Sequence, residues 1–172
     1  MEMRPAYRIA LIGILTAVNV ASRVYLVFLP NMKPVTSLII LVTVMFGLRF
    51  GLELSVSTVL VSGLVFGLGT VAVFQILAWC VIVMFTWLLS RVPIPRKMAV
   101  FAVWAFLCGY IFGFFVSLQI LVLSGSVFAF WAYYLRGIAF DTVHAIGNII
   151  FYPLCYAALL PVFKRHAKEY LQ

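Results

Sequence analysis

Long apolar runs follow one another along nearly the whole chain, and only short polar segments separate them. A helix needs roughly 20 apolar residues to cross a bilayer core about 30 Å thick. Of the 172 residues, 66% are hydrophobic and 9% are charged, whereas soluble domains are about half apolar and a quarter charged. A soluble core of this size cannot bury so much apolar surface. The sequence therefore predicts one all-α integral membrane domain that occupies residues 1–172.

Six of the apolar runs are candidate transmembrane helices. The second and third are short, so we expect them to extend into their flanks or to tilt in thin lipid. Five spans remain the alternative, in which these two runs form one broken unit. The six runs cover residues 7–28, 35–48, 54–66, 71–89, 98–123 and 138–163.

The basic residues divide unevenly between the two ends of these runs. Lysine and arginine in short loops favour the cytoplasmic side, which predicts that both termini are cytoplasmic. The net charge of +8 is scattered between the spans, so it indicates topology and contact with anionic lipid rather than nucleic-acid binding. The predicted inside group is Arg4, Arg8, Arg49, Arg91, Arg96, Lys97, Lys164, Arg165 and Lys168, and the outside group is Arg23, Lys33 and Arg136.

Sequence patterns of common catalytic and metal sites are missing. The chain contains no G-x-x-x-x-G-K-[ST] loop for ATP, no G-x-S-x-G and no H-E-x-x-H. Only Asp141, of four acidic residues, is expected near membrane depth, while Glu53 is expected in a cytoplasmic turn. We therefore predict no enzymatic activity, no cofactor and no metal; an intramembrane enzyme that uses Asp141 and His144 is the alternative. Cys80, Cys108 and Cys155 are interpreted as small packing residues.

Polar side chains at membrane depth are costly, so each needs a partner or a role. In "FDTVHAIGNIIFYP", Asp141, His144 and Asn148 share one helical face. They line a ligand pocket or form a hydrogen-bonded patch between helices, and the sequence favours the two equally; metal binding is a distant third. Gln75 and Trp79 lie four residues apart and suit a flat organic ligand. Their alternative role is an interfacial tryptophan beside an interhelical amide.

Further candidates lie toward the same, outer end of the spans. In "FLPNMKPVTSLII", two prolines stop helices, so Asn31 and Lys33 are expected on a rigid rim. The stretch "LSGSVFAFWAYYLRG" is expected to be a long external loop that anchors at the interface or covers the site around Trp131. Arg136 is expected to pair with Asp141 or to face an anionic ligand group. With Gln119 added, the predicted substrate-binding residues are Asn31, Lys33, Gln75, Trp79, Gln119, Trp131, Arg136, Asp141, His144 and Asn148.

The first helix carries small residues at every fourth position: Gly13, Ala17 and Ala21. Such a stripe allows another helix to approach closely. It serves either internal packing or the docking of a second protein.

Three stretches together resemble the substrate-binding S components of energy-coupling factor (ECF) vitamin transporters: "LPNMKPVTSLIIL", "FGLGTVAVFQILAW" and "FDTVHAIGNIIFYP". The resemblance covers nearly the whole chain. It implies six spans, cytoplasmic termini and the plasma membrane of a prokaryote. The family's Ala-x-x-x-Ala motif on the first helix would correspond to Gly13, Ala17 and Ala21, with glycine in the first position. Many relatives have a "GxGPWTPFQM"-like stretch, of which this chain keeps a few residues and lacks "PWTP".

The resemblance implies a mechanism as well as a fold. An S component binds a vitamin from outside, topples in the membrane on a coupling subunit with two ATPases, and releases the vitamin inside. The missing ATP-binding loop fits that division of labour. The chain looks most like the branch that includes cobalamin-specific members, and riboflavin, pantothenate, folate and other tetrapyrroles remain open as substrates. A small channel or structural membrane protein is the further alternative.

Overall fold

The computed structural model describes residues 4–170, and within that range it describes no side chains at 164 and 166–170. This part of the chain is all helical, as the sequence predicts. The helices are α1 (Pro5–Tyr25), α2 (Val35–Phe46), α3 (Leu48–Phe66), α4 (Thr70–Ser90), α5 (Lys97–Ser124) and α6 (Val127–Tyr170).

Five of these helices are long and apolar enough to cross a membrane, and α2 is apolar but shorter. A helix of 12 residues is about 18 Å long, which is less than the thickness of a bilayer core. The structure thus supports a helical membrane protein with five candidate spans and one short apolar helix.

The short helix α2 lies in the middle of the bundle. It contacts each of the other five helices, and its residues from Val35 to Thr43 are all buried. Since protein surrounds it, α2 has no need of a polar face, which explains its almost unbroken apolar sequence. Ile39, Ile40 and Leu41 have no exposed surface and form the centre of the core.

The connection between α2 and α3 differs from the expected one. Gly47, with φ of +88°, is the only residue between the two helices, and glycine adopts this backbone conformation without steric cost. Helix α3 consequently starts at Leu48, six residues before the predicted run. Glu53 lies within α3 instead of in a turn, and its carboxylate accepts hydrogen bonds from Arg8 Nε (2.8 Å) and Arg49 Nε (3.2 Å).

The predicted external loop over residues 123–137 is wrong. Helix α5 ends at Ser124 and is capped by Gly125, whose φ is +65°, and α6 begins at Val127. Ser126 Oγ accepts a hydrogen bond from the backbone N–H of Ala129 (3.2 Å), as a helix-capping serine does. Two aromatic rings of this stretch then pack on α5, since Phe130 and Tyr134 both make edge contacts with Phe114.

One end of the bundle is more open than the middle. It is formed by the last turn of α1, the 26–34 connection, the 67–69 turn, the second half of α5 and the first half of α6. The opposite end contains the Gly47 turn and the 91–96 connection. We call the first of these the cavity end.

Candidate ligand cavity

A cavity of about 390 Å³ opens at the cavity end, and residues from all six helices line it. Its volume lies in the range of pockets that hold small organic molecules. We call it the central cavity. Its lining combines aromatic rings with a few polar groups from distant parts of the chain, which is the usual composition of a small-molecule site.

The floor of the central cavity is a hydrogen-bonded trio of side chains. Trp79 Nε1 donates to Thr36 Oγ1 (3.1 Å), and the same hydroxyl lies 3.1 Å from His144 Nε2. Phe112 packs between the two rings, with centroid distances of 5.0 Å to Trp79 and 5.1 Å to His144. Thr36 is fully buried. The floor is therefore a preorganised surface with aromatic faces, made by α2, α4, α5 and α6.

The wall of the central cavity contains an arginine that the sequence interpretation treated only as an external charge. Arg23 Nη1 donates to Ser62 Oγ (2.9 Å) and Nη2 donates to Gln75 Oε1 (3.1 Å). Its guanidinium carbon lies 5.6 Å from the ring centre of Phe66 and 5.8 Å from that of Trp79. Its position inside the apolar run "VASRVYLVFLP" is the signal that could have identified it, because a charge at membrane depth is by default functional.

The structure places six of the ten predicted binding residues in the lining of the central cavity: Asn31, Lys33, Gln75, Trp79, Gln119 and His144. Lys33 lies in the 26–34 connection, where burial and then the nearby charge of Arg23 lower its pKa. Asn31 holds this connection against α6, since its Nδ2 donates to the carbonyl oxygen of Phe140 (2.9 Å).

A second cavity of about 360 Å³ adjoins the first and shares part of its wall, including Asn31 and Phe140. We call it the side cavity. It is lined by two further predicted residues, Arg136 and Asp141. Asp141 packs against Gly113 of α5 so closely that a Cβ at that glycine would collide with the carboxylate. No ion pair joins Arg136 to Asp141 among the described residues, so the structure does not show the first of the two roles expected for Arg136.

Two predicted residues lie outside both cavities. Asn148 is fully buried in the helix packing, and its side-chain amide has no hydrogen-bond partner among the described residues. Trp131 is 47% exposed and packs against Phe130 and Tyr134. It does not cover the central cavity, because the loop that would have carried it is the first turns of α6. Tyr133, two residues further on, lines both cavities instead.

The predicted polar face of α6 lies toward the bundle, but its residues do not line one common site. Asp141, His144 and Asn148 are all buried, so they do share a face toward the bundle. They nevertheless do not line one common cavity, since Asp141 lines the side cavity, His144 lines the central cavity and Asn148 lines neither. Within residues 4–170, moreover, the described side chains form no cluster of three His, Cys, Asp or Glu that could hold a metal ion.

The small-residue stripe of α1 faces outward. Gly13, Ala17 and Ala21 are exposed, and a Cβ built on Gly13 meets no atom within 4 Å. The part of the chain described here thus leaves this stripe unused for internal packing. An open apolar groove of about 660 Å³ lies along the surface between α1 and α3, with Arg8 and Glu53 in its lining.

No protein-family model, curated protein or solved structure matches the chain. The family resemblance therefore depends on the sequence stretches themselves.

Proposed function

We propose that this protein is the substrate-binding subunit of a vitamin transporter of the ECF type. It takes up a small organic ligand into the central cavity from outside the cell. It then delivers the ligand by toppling on an energising module, which consists of a coupling subunit in the membrane and two ATPases. The observation that supports this proposal is the cavity of about 390 Å³, to which every helix contributes and whose aromatic floor is held by buried hydrogen bonds.

The proposal includes an orientation in the plasma membrane of a prokaryote. The chain crosses the membrane with α2 as the short central element, both termini are cytoplasmic, and the cavity end faces outward. In this orientation the basic residues near the cavity end are Arg23, Lys33 and Arg136, while the larger basic group lies inside, as the charge rule for short loops favours.

The proposed ligand is smaller than a corrinoid. Cobalamin is the substrate that the family branch favours, yet its corrin ring and nucleotide are bulkier than a cavity of this volume. A vitamin with one or two rings fits better, because Trp79, Phe112 and Tyr133 offer aromatic surface. Cobalamin belongs in the test as the large-ligand arm.

The proposed partner surface is the outward stripe of Gly13, Ala17 and Ala21, together with the adjoining groove between α1 and α3. Small exposed residues let the coupling subunit bring a helix close to α1. This surface is separate from the central cavity, since the groove lining contains none of the cavity residues.

A thermal-shift and equilibrium-binding screen of the purified full-length protein tests the proposal. We expect one small vitamin to raise the melting temperature and to bind saturably. Trp79→Phe, which keeps a ring but removes the bond to Thr36, should weaken that binding roughly threefold to tenfold. Trp131→Phe is the matched control and should bind like wild type, because Trp131 lies outside the cavity. Absence of binding across the vitamin panel, cobalamin included, would contradict the proposal.

A further inference from the structure

We propose that the ligand of the central cavity carries an anionic group, a carboxylate on a ring-containing molecule, which binds between Arg23 and Lys33. This inference depends on the proposed function only in taking the central cavity as the ligand site. It narrows the substrate class from small vitamins in general to organic acids.

The first observation is that two cations line one cavity without an acidic partner. Both ion pairs among the described side chains involve Glu53, at the other end of the bundle. Arg23 instead bonds to two neutral groups, the Ser62 hydroxyl and the Gln75 amide oxygen. Asp141, a described acidic residue at the cavity end, lines the side cavity and not the central one.

The second observation is that these cations are withdrawn from water. Arg23 and Lys33 are both partly buried, and charged groups removed from water are ordinarily paired with an opposite charge. Two like charges in one cavity also repel each other, and an anion between them would relieve that repulsion while regaining part of the lost solvation. Neutral ligands offer neither gain.

The third observation is the fixed position of the Arg23 guanidinium. Two hydrogen bonds and the rings of Phe66 and Trp79 hold it at the wall of the cavity. These bonds occupy two of its five N–H groups, so donors remain for a carboxylate. Since arginine binds carboxylates with two parallel hydrogen bonds, a side chain held in place this way is suited to such recognition.

The ring expected on the ligand follows from what lies beside the cations. The guanidinium carbon of Arg23 lies 5.8 Å from the ring centre of Trp79, and Trp79 packs on Phe112 at a centroid distance of 5.0 Å. A ligand whose carboxylate reaches Arg23 therefore brings its body against the rings of Phe112 and Tyr133, which line the same cavity and keep exposed surface. Gln119, from α5, supplies a polar group across the same cavity.

The experiment compares acids with their neutral analogues on the purified full-length protein in detergent. The probes are biotin and biotinamide, pantothenate and pantothenol, and nicotinate and nicotinamide, with folate, riboflavin and thiamine as single compounds. We expect an acid to bind at least tenfold tighter than its neutral analogue. Arg23→Gln and Lys33→Gln should each weaken the acid roughly 10- to 100-fold, as loss of a hydrogen bond to a charged group does, and should leave the neutral analogue nearly unchanged.

Arg136→Gln is the matched control, because it removes the same charge from the side cavity next door. It should weaken the acid less than threefold. Lys33 lies outside the helices, so Lys33→Gln keeps the test valid if Arg23→Gln fails to fold. Phosphatidylglycerol is tested separately as a further probe, since a lipid headgroup also presents an anion.

The outcomes separate this inference from the proposed function. A neutral or cationic compound could instead bind tightly, with binding weakened by Trp79→Phe and unaffected by Arg23→Gln and Lys33→Gln. That result would leave the proposed function standing and would contradict the proposal that the ligand carries a carboxylate. Protection by phosphatidylglycerol alone, lost in both variants, would assign the anion to a lipid and overturn a soluble acid. If no compound binds at all, the proposed function fails and this inference fails with it.

Discussion

Helix α1 carries two half-buried arginines, one toward each end of the bundle. They differ in the charge of the groups that they contact. Arg8 contacts the carboxylate of Glu53, with N–O distances of 2.8 Å. Arg23, fifteen residues later, bonds only to neutral oxygens and stacks near two rings. At the first end the chain supplies its own counter-charge to a half-buried cation. At the cavity end no described acidic side chain forms an ion pair with Arg23, and this difference is why we propose that its counter-charge is carried by a ligand.

The two ends also differ in how they are closed. Near Arg8, a single residue, Gly47, joins α2 to α3, and Glu53 bridges arginines from α1 and α3. At the cavity end the 26–34 connection is longer, and Asn31 ties it to α6 by one hydrogen bond. Val27, Asn31 and Lys33 of this connection line the cavity, and Met32 packs against Gly147 of α6.

The largest expected effect tests whether the two ends face opposite sides of the membrane. Cysteines are placed singly at Lys33 and at Arg91 in a chain whose native cysteines are replaced. We expect an impermeant thiol reagent to label position 33 in intact cells and position 91 only after the membrane is opened, because the basic-residue distribution favours the proposed orientation with the cavity end outside. Labelling of both positions from outside would contradict this orientation, because the two ends would then not face opposite sides of the membrane.

The second-largest expected effect comes from introducing an acidic side chain into the central cavity. Lys33→Glu places a carboxylate in the cavity that contains Arg23 and replaces a repulsive pair with an attractive one. The ligand-free protein should become more thermostable, and binding of an acidic ligand should weaken by roughly 2–5 kcal/mol, as expected for a disrupted buried charge pair. Differential scanning fluorimetry and calorimetric titration measure the two changes.

Lys33→Gln is the control for that variant, since it removes the repulsion without adding an acid. It should fall between wild type and Lys33→Glu in stability. Tighter binding of the acid by Lys33→Glu than by Lys33→Gln would show that the two cations do not act together on one anion.

Local sequence patterns were sufficient to predict the helical class. Apolar run length gave most of the helix positions, and the three- and four-residue spacing of Asp141, His144 and Asn148 correctly predicted that they share the inward face of α6. These properties depend on residues close in sequence, where the helical repeat fixes direction.

The errors arose where distant contacts decide the outcome. The aromatic stretch after Gly125 was expected to be a loop, yet the Ser126 cap and packing on Phe114 of α5 make it helical. Arg23 was missed because its partners, Ser62 and Gln75, lie 39 and 52 residues away along the chain. Asn148 was placed in the site because an amide at membrane depth is costly, but the sequence does not show whether that amide faces a cavity or the packed core.

The smallest expected effect comes from removing the acid at the end that has one. Glu53→Gln keeps the size of the side chain but leaves Arg8 and Arg49 facing a neutral amide. Both arginines are partly exposed, with side-chain accessibilities of 24% and 81%, and such ion pairs contribute about 0–1 kcal/mol. We therefore expect a small loss of thermostability that grows at low ionic strength, where screening is weakest. Ligand affinity should stay within twofold of wild type, because Glu53 does not line the central cavity. A tenfold loss of ligand affinity in Glu53→Gln, with little change in melting temperature, would show that the two ends are coupled and that Arg8 and Arg23 cannot be compared as independent sites.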